Sequence, residues 1–124
     1  MKIAISGSRT ITDKDWVYAQ LNYILSEVPN AKHITILSGG AKGVETLAKD
    51  WAKDKKLDFV EFKPYHLLDG KAKFEPKYFF VRNRQLVDNA DIVVTLYSGA
   101  SSDTNAYMDY AARKGKHLVT IERT

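Results

Sequence analysis

The sequence predicts a Rossmann-like α/β domain: three layers, α/β/α, around a five-stranded, mostly parallel sheet. Three observations predict it. Short apolar runs alternate with helical patterns along the whole chain, and strands alternating with helices imply parallel pairing through right-handed crossovers. The apolar runs are nearly continuous, as in strands covered on both faces. Five of the seven glycines follow predicted strands: Gly7, Gly39, Gly40, Gly43 and Gly99.

Each element has its own warrant. Ile3-Ala4-Ile5 is a short buried strand ending at Gly7. Residues 13–28 carry Val17, Leu21, Ile24, Leu25 and Val28 at helical spacing, with Thr12 or Asp13 as cap and Pro29-Asn30 as terminator. His33 to Ser38 is the second strand, closed by Gly39-Gly40. Val44, Leu47, Ala48, Trp51 and Ala52 then mark an amphipathic helix. Leu57 to Phe62 is the third strand. Residues 63–76 break the rhythm with Pro64, Gly70 and Pro76, and read as a surface loop containing Tyr65 and His66. A helix runs from about Lys77 to Asn89, with Phe79, Leu86, Val87 and Ala90 near one face. Asp91 to Tyr97 is the clearest strand, Ser98 to Thr104 a small-residue loop. A helix with Ala106, Tyr107, Tyr110 and Ala111 ends at Gly115, a C′ residue, and His117 to Ile121 is the last strand.

Length and composition bound the function. At 124 residues the expectation is one domain over 1–124, with no internal repeat or linker. Hydrophobic residues make up 44% and charged residues 27%, an ordinary globular balance. The absence of cysteine removes disulfides, thiolate nucleophiles and Cys-based zinc sites. No apolar run approaches the ~20 residues of a membrane span, and the first residues are too short a run for a secretory signal. The expected location is the cytoplasm, with no membrane partner. The net charge of +4 arises within residues 49–84, which hold ten basic and six acidic residues. A solvated surface accounts for that excess without a nucleic-acid partner.

Ligands of open α/β sheets bind beyond the carboxyl ends of the strands, where the strand order reverses. Glycine there lets backbone N–H groups approach a ligand, and helix N-termini add donors and partial positive charge. The first loop, Ser6-Gly7-Ser8-Arg9-Thr10, adds a planar donor for phosphate or carboxylate in Arg9. The second, Ser38-Gly39-Gly40-Ala41-Lys42-Gly43-Val44-Glu45, matches neither GxGxxG nor the Walker P-loop. The loop Ser98-Gly99-Ala100-Ser101-Ser102-Asp103-Thr104 offers hydroxyls and a helix start, where Ser102, Asp103 or Thr104 can also serve as an ordinary cap. Asp103 suits ribose hydroxyls or an amine better than an anion. Arg82-Asn83 lies mid-helix, where spacing alone favours a solvated face. His33, His66 and His117 lack metal-ligand spacing, so no metal and no cofactor is expected.

In order along the chain, these motifs resemble the SLOG superfamily of Rossmann-like nucleotide-binding domains, most closely its small YspA-like members, related to LOG- and DprA-type domains. The motifs are Gly7-Ser8-Arg9; Ser38 to Gly43 with Glu45, Leu47-Ala48 and Trp51-Ala52; Arg82-Asn83; Ala90-Asp91; and Ser98 to Thr104. The resemblance implies a pocket for nucleotides or nucleotide-derived, ADP-ribose-like ligands, in a sensor or sequestering protein that forms dimers or higher homo-oligomers. Gly7, Ser8, Arg9, Gly39, Gly40, Ala41, Lys42, Glu45, Arg82, Asn83, Ser98, Gly99, Ser101, Ser102, Asp103 and Thr104 are the expected ligand-binding residues.

Members that cleave the N-glycosidic bond of nucleoside monophosphates look like Pro-Gly-Gly-x-Gly-Thr-x-x-Glu at the fourth loop. Here Asn105, or in the other alignment Tyr107, stands where that Glu is expected. Such hydrolysis needs a carboxylate beside an oxocarbenium-like centre, and Glu45 and Asp103 are the remaining candidates. The reading therefore leans towards binding over catalysis, with a nucleotide N-glycosidic hydrolase as one alternative. A single-stranded nucleic-acid-binding module, using the basic 49–84 segment with Tyr65, Tyr78, Phe79 and Phe80, is another.

Overall fold

The structure is a computed structural model that describes residues 1–28, 33–63, 66–68, 71–73, 76–99 and 101–124, with side chains described except at 66–68, 71–73, 76–77 and 79. The elements are β1 (Lys2–Gly7), α1 (Lys14–Ser26), β2 (Thr35–Ser38), α2 (Val44–Asp54), β3 (Asp58–Glu61), β4 (His66–Leu68), β5 (Lys71–Lys73), α3 (Pro76–Asn89), β6 (Ile92–Tyr97), α4 (Ser102–Arg113) and β7 (His117–Glu122). Five strands form a parallel sheet in the order β3-β2-β1-β6-β7. The chain thus winds outward from β1 in one direction and returns to wind outward in the other. The expected Rossmann-like α/β architecture is what the chain adopts, and the order reverses between β1 and β6.

Strand alternation divides the core between the two faces. Ile3 and Ile5 of β1, Ile36 of β2 and Val94 and Leu96 of β6 pack with Val17, Leu21 and Ile24 of α1 and Val44, Ala48, Trp51 and Ala52 of α2. Ala4, Leu37 and Val93 point the other way, onto Leu86, Val87 and Ala90 of α3 side and Tyr107 and Ala111 of α4. Trp51 is fully enclosed, and its indole N–H donates to Asn22 Oδ1 at 2.8 Å, so the large ring is buried without an orphan donor. Asp91 fastens the start of β6 to β1: its carboxylate accepts from the Lys2 N–H and its own N–H donates to the Lys2 carbonyl, both at 2.8 Å.

The boundaries refine the sequence reading. Asp13 caps α1, accepting from the Trp16 N–H at 3.1 Å. Pro29 and Asn30 lie outside the described residues, as do Pro64, Tyr65, Gly70 and Ala100. The second strand opens at Thr35, two residues after His33. The cap of α4 is Ser101, one residue before the expected set, because its extended backbone lets its Oγ accept from the Thr104 N–H at 3.2 Å. Gly115 takes the left-handed conformation expected of a C′ residue, at φ 67°. The largest departure is in 63–76, read as a plain loop: β4 and β5 pair antiparallel there, with Leu68 opposite Lys71.

One close approach shapes the carboxyl end of the sheet. The β1–α1 loop and the start of α2 touch, and the Val44 N–H donates to the Ser8 carbonyl at 3.2 Å. Gly43 makes this contact at φ 85°, and a Cβ there would lie 2.4 Å from the Ser8 oxygen. Gly43→Ala should therefore destabilise the fold by roughly 1–3 kcal/mol, combining backbone strain with overpacking. Urea unfolding with an unchanged m-value is the check; a loss below about 0.5 kcal/mol would show that the two loops separate freely.

Candidate functional site

A cavity of about 320 Å³ opens at the carboxyl ends of β1 and β6, at the reversal of strand order. Three segments wall it: Ser6 to Thr10 at the end of β1, Ser98, Gly99, Ser101, Asp103 and Thr104 between β6 and the first turn of α4, and Asn83 of α3. Its floor is buried and polar. Ser6, Glu45, Arg82, Thr95, Thr104 and Tyr107 all line it, and each is less than 9% exposed.

The floor is built around one carboxylate. Glu45 Oε1 accepts from Arg82 Nη1 at 2.8 Å and from the Ala41 N–H at 3.1 Å; Oε2 accepts from Ser6 Oγ at 2.8 Å. Glu45 and Arg82 are 2% and 4% exposed, so this is a fully desolvated ion pair between α2 and α3, elements on opposite faces of the sheet. Arg82 reaches Glu45 across Gly39. A Cβ at Gly39 would sit 1.5 Å from Arg82 Nη1 and 2.5 Å from Glu45 Oε1. That glycine is needed for the guanidinium to pass.

This arrangement redistributes the expected site. Gly7, Ser8, Arg9, Ala41, Glu45, Arg82, Asn83, Ser98, Gly99, Ser101, Asp103 and Thr104 line the cavity. Gly39, Gly40, Lys42 and Ser102 do not. Gly39 sits under the ion pair, and Gly40 faces the Glu61 carboxylate, 3.2 Å from where its Cβ would be, which is no setting for an anion. The Ala41 and Val44 N–H groups at the start of α2 are bonded to Glu45 and Ser8. The second loop therefore serves the protein's own carboxylate and the Ser8 carbonyl, and the first and fourth loops supply most of the cavity wall. Arg82, which spacing placed on a solvated face, is buried by its pairing with Glu45. Helical spacing carried the missed signal: Arg82, Leu86 and Ala90 share one stripe, as do Glu45, Ala48 and Ala52.

Sequence reasoning also missed Thr95 and Tyr107. Thr95 Oγ1, the Tyr107 hydroxyl and Asn83 Oδ1 are buried on the cavity lining without a hydrogen-bond partner among the described residues. An orphaned buried polar group costs about 1–3 kcal/mol, and these three lie together on the lining of one cavity. Burial pushes the Tyr107 hydroxyl well above the usual tyrosine range, and the nearby negative charge of Glu45 adds to the shift. Ser8 Oγ, at the opposite wall, accepts from the Ser98 N–H at 2.9 Å and ties the two cavity-facing loops together. Among the described residues no three His, Asp or Glu side chains are grouped to hold a metal ion, and no helix is long and apolar enough to cross a membrane.

Residues 1–66 match the model of the YspA, cpYpsA-related SLOG family. The chain belongs to that family. A search of curated proteins finds no match. Among solved structures, this SLOG-family chain is similar to DNA processing protein A from Helicobacter pylori, described for its single-stranded DNA binding mode: TM-score 0.75 and 19% identity over 100% of this chain and 66% of that one. DNA processing protein A from Streptococcus pneumoniae gives a TM-score of 0.80 at 17% identity, over 99% of this chain and 50% of that one. The protein TM1055 gives 0.67 at 20% identity, covering 94% and 71%. These are likenesses of fold, and the chain spans 66% and 50% of the two DNA processing proteins.

Two expectations follow from the floor. Glu45→Gln should cost about 3–5 kcal/mol, because it removes the charged carboxylate that the buried Arg82 guanidinium meets at 2.8 Å; chemical denaturation measures it, and a loss under about 1 kcal/mol would mean that water reaches the pair. The Tyr107 hydroxyl ionises less readily in the folded chain than in the unfolded one, so its contribution is fully present below the unfolded value of about pH 10 and is lost as pH rises above it. Tyr18, pushed up to about 12 by burial and by its bond to Asp54, acts in the same sense. Tyr107→Phe should leave stability at pH 7 equal or higher and make its fall above pH 10 shallower than in the parent, with Tyr18 accounting for part of what remains. Parallel curves for the two proteins would refute the assignment.

Proposed function

We propose that the cavity binds a nucleotide or nucleotide-derived, ADP-ribose-like ligand, and that the protein acts as a sensor of it or sequesters it. The observation that carries this reading is the set of buried, unpartnered polar atoms on the floor, Thr95 Oγ1, Tyr107 OH and Asn83 Oδ1, beneath loops that present Arg9 and the first turn of α4. The floor asks for a ligand rich in donors and acceptors, as ribose and base edges are. The rim suits phosphate, through the Arg9 guanidinium and the partial positive charge at the start of α4. At about 320 Å³ the cavity lies at the small end of ligand sites, about 300–1,000 Å³.

In this proposal Arg9, Ser8, Ser98, Gly99 and Ser101 hold phosphate, and Asn83, Thr95 and Tyr107 meet ribose or base. Asp103, exposed on the rim, accepts from a ribose hydroxyl. Glu45 contributes by fixing Arg82 and Ser6. With three donors on its two oxygens, it has little capacity left for a substrate. That weighs against N-glycosidic hydrolysis through Glu45 and leaves Asp103 as the carboxylate such an enzyme would need.

A second reading, single-stranded DNA binding, is favoured by one observation: the fold likeness to the Helicobacter pylori protein described for that binding mode, over the full length of this chain. In it the same loops would grip successive backbone phosphates, and binding would weaken steeply with salt.

The test is a thermal-shift screen with AMP, ADP, ATP, NAD, ADP-ribose, cyclic ADP-ribose and cyclic dinucleotides, followed by mass spectrometry of the recovered ligand. A ligand at 100 times its Kd stabilises by about 2.7 kcal/mol, a shift of several degrees in a domain of this size. Arg9→Ala should weaken a phosphorylated hit by roughly 1.5–3 kcal/mol, the range of a charged hydrogen bond. Calorimetry showing unchanged affinity would remove Arg9 from the site. A hit recovered cleaved would establish the hydrolase, and no shift from any nucleotide beside salt-sensitive oligonucleotide binding would establish the DNA reading.

A further inference from the structure

A second cavity, of about 230 Å³, lies between α3 and α4. It shares Asn83 and Tyr107 with the first, so the two cavities lie on either side of these two side chains. Its other walls have a distinct chemistry. Phe80 is 48% exposed on α3, a large apolar ring left open to solvent. Arg84 stands 5.4 Å from the centre of the Tyr110 ring, and Arg113, paired with Asp109 at 2.9 Å, closes the far side. Aromatic faces beside guanidinium groups are the surface on which nucleobases stack. Tyr110 is held in place by its hydroxyl, which donates to Asp88 Oδ1 at 2.8 Å, so the platform is fixed before anything binds.

We propose that the two cavities together take one ligand with two linked nucleoside units: the first unit in the cavity at the carboxyl end of the sheet, the second base on Phe80, Arg84 and Tyr110. The shared wall carries the argument. Asn83 and Tyr107 line both cavities, Asn83 Oδ1 and the Tyr107 hydroxyl have no hydrogen-bond partner among the described residues, and a ligand spanning both cavities would cross this wall over the half-buried Asn83. Two positive side chains beside the second cavity, Arg84 and Arg113, suit a linkage that carries phosphate. A single mononucleotide would leave the Phe80 face exposed to water. This inference rests on the proposed ligand reading of the first cavity and names the ligand class more narrowly.

The test compares AMP with the linear dinucleotide pApA and the trinucleotide pApApA, on the parent and on the Phe80→Ala and Arg84→Ala variants, by calorimetry at fixed salt. Phe80 is half exposed and Arg84 is exposed, so both variants keep the core intact. The parent should bind pApA at least tenfold more tightly than AMP. Each variant should lose about tenfold or more for pApA, as expected for a stacked base, while its affinity for AMP is unchanged. Equal affinity of the parent for AMP and pApA, or variants that leave pApA unaffected, would overturn the two-cavity ligand and leave the first cavity's assignment standing. Affinity that keeps climbing from pApA to pApApA would overturn it in favour of a nucleic-acid strand. A parent that binds none of the three would overturn it together with the reading on which it rests.

Discussion

The Glu45–Arg82 pair is the interaction on which the site depends. Its two members come from α2 and α3, which cover opposite faces of the sheet, and they meet beyond the carboxyl ends of the strands at 2.8 Å. Ser6 of β1 donates into the same carboxylate, so the central strand is tied in as well. A buried ion pair is weak evidence for stability, since an apolar pair of similar volume often does as well. Its effect here is positional. It sets how the two helical layers stand relative to the strand ends, and it keeps the cavity floor polar where an apolar pair would have filled it. The neighbours conform to it: Gly39 has no side chain because Arg82 passes there, and the Ala41 N–H turns inward to complete the carboxylate's shell.

With that pair in place, the division of labour among the loops follows. In many phosphate-binding folds a glycine-rich turn offers its backbone N–H groups to the ligand. Here the Gly39–Gly43 turn has the composition of such a cradle but spends its donors inward, on Glu45 and on the Ser8 carbonyl. The first and fourth loops are left to face the cavity, joined by the Ser98 N–H to Ser8 Oγ bond. Arg9, Thr10, Ser98, Ser101 and Asp103 on the two lips are exposed, whereas the floor is held by a buried charge pair.

Much of the fold was legible because its signals are redundant. Apolar runs of four to six residues, helical stripes such as Val44-Ala48-Trp51-Ala52 and punctuation at Gly7, Gly39 and Gly115 all agree. The β4–β5 hairpin was not read because each strand has three residues, too few to show a period of two, and Lys71-Ala72-Lys73 has no apolar face. Its one usable sign was Asp69-Gly70 between the two runs, a common hairpin-turn dipeptide. In the site, loop residues were legible because small and polar residues after strands have few other uses. The floor was not, because Thr95 and Tyr107 lie inside a strand and a helix whose patterns are satisfied by core packing. Nothing in spacing separates a buried hydroxyl that meets a partner from one that does not.

That distinction is what the structure adds, and it bears on why the floor is built as it is. Phenylalanine at 107 and valine at 95 would fill the same volumes without stranding a hydroxyl. A buried polar group left without any partner costs about 1–3 kcal/mol, and Thr95 Oγ1, the Tyr107 hydroxyl and Asn83 Oδ1 have no partner among the described residues. Such a cost persists when something other than folding uses it. In the proposed binding reading, a ligand that brings donors and acceptors to Thr95, Tyr107 and Asn83 would recover that cost on binding, and an apolar molecule of the same size would not. The ion pair beneath the cavity holds this arrangement in place, because neither Arg82 nor Glu45 can swing away to satisfy a neighbour without abandoning the other.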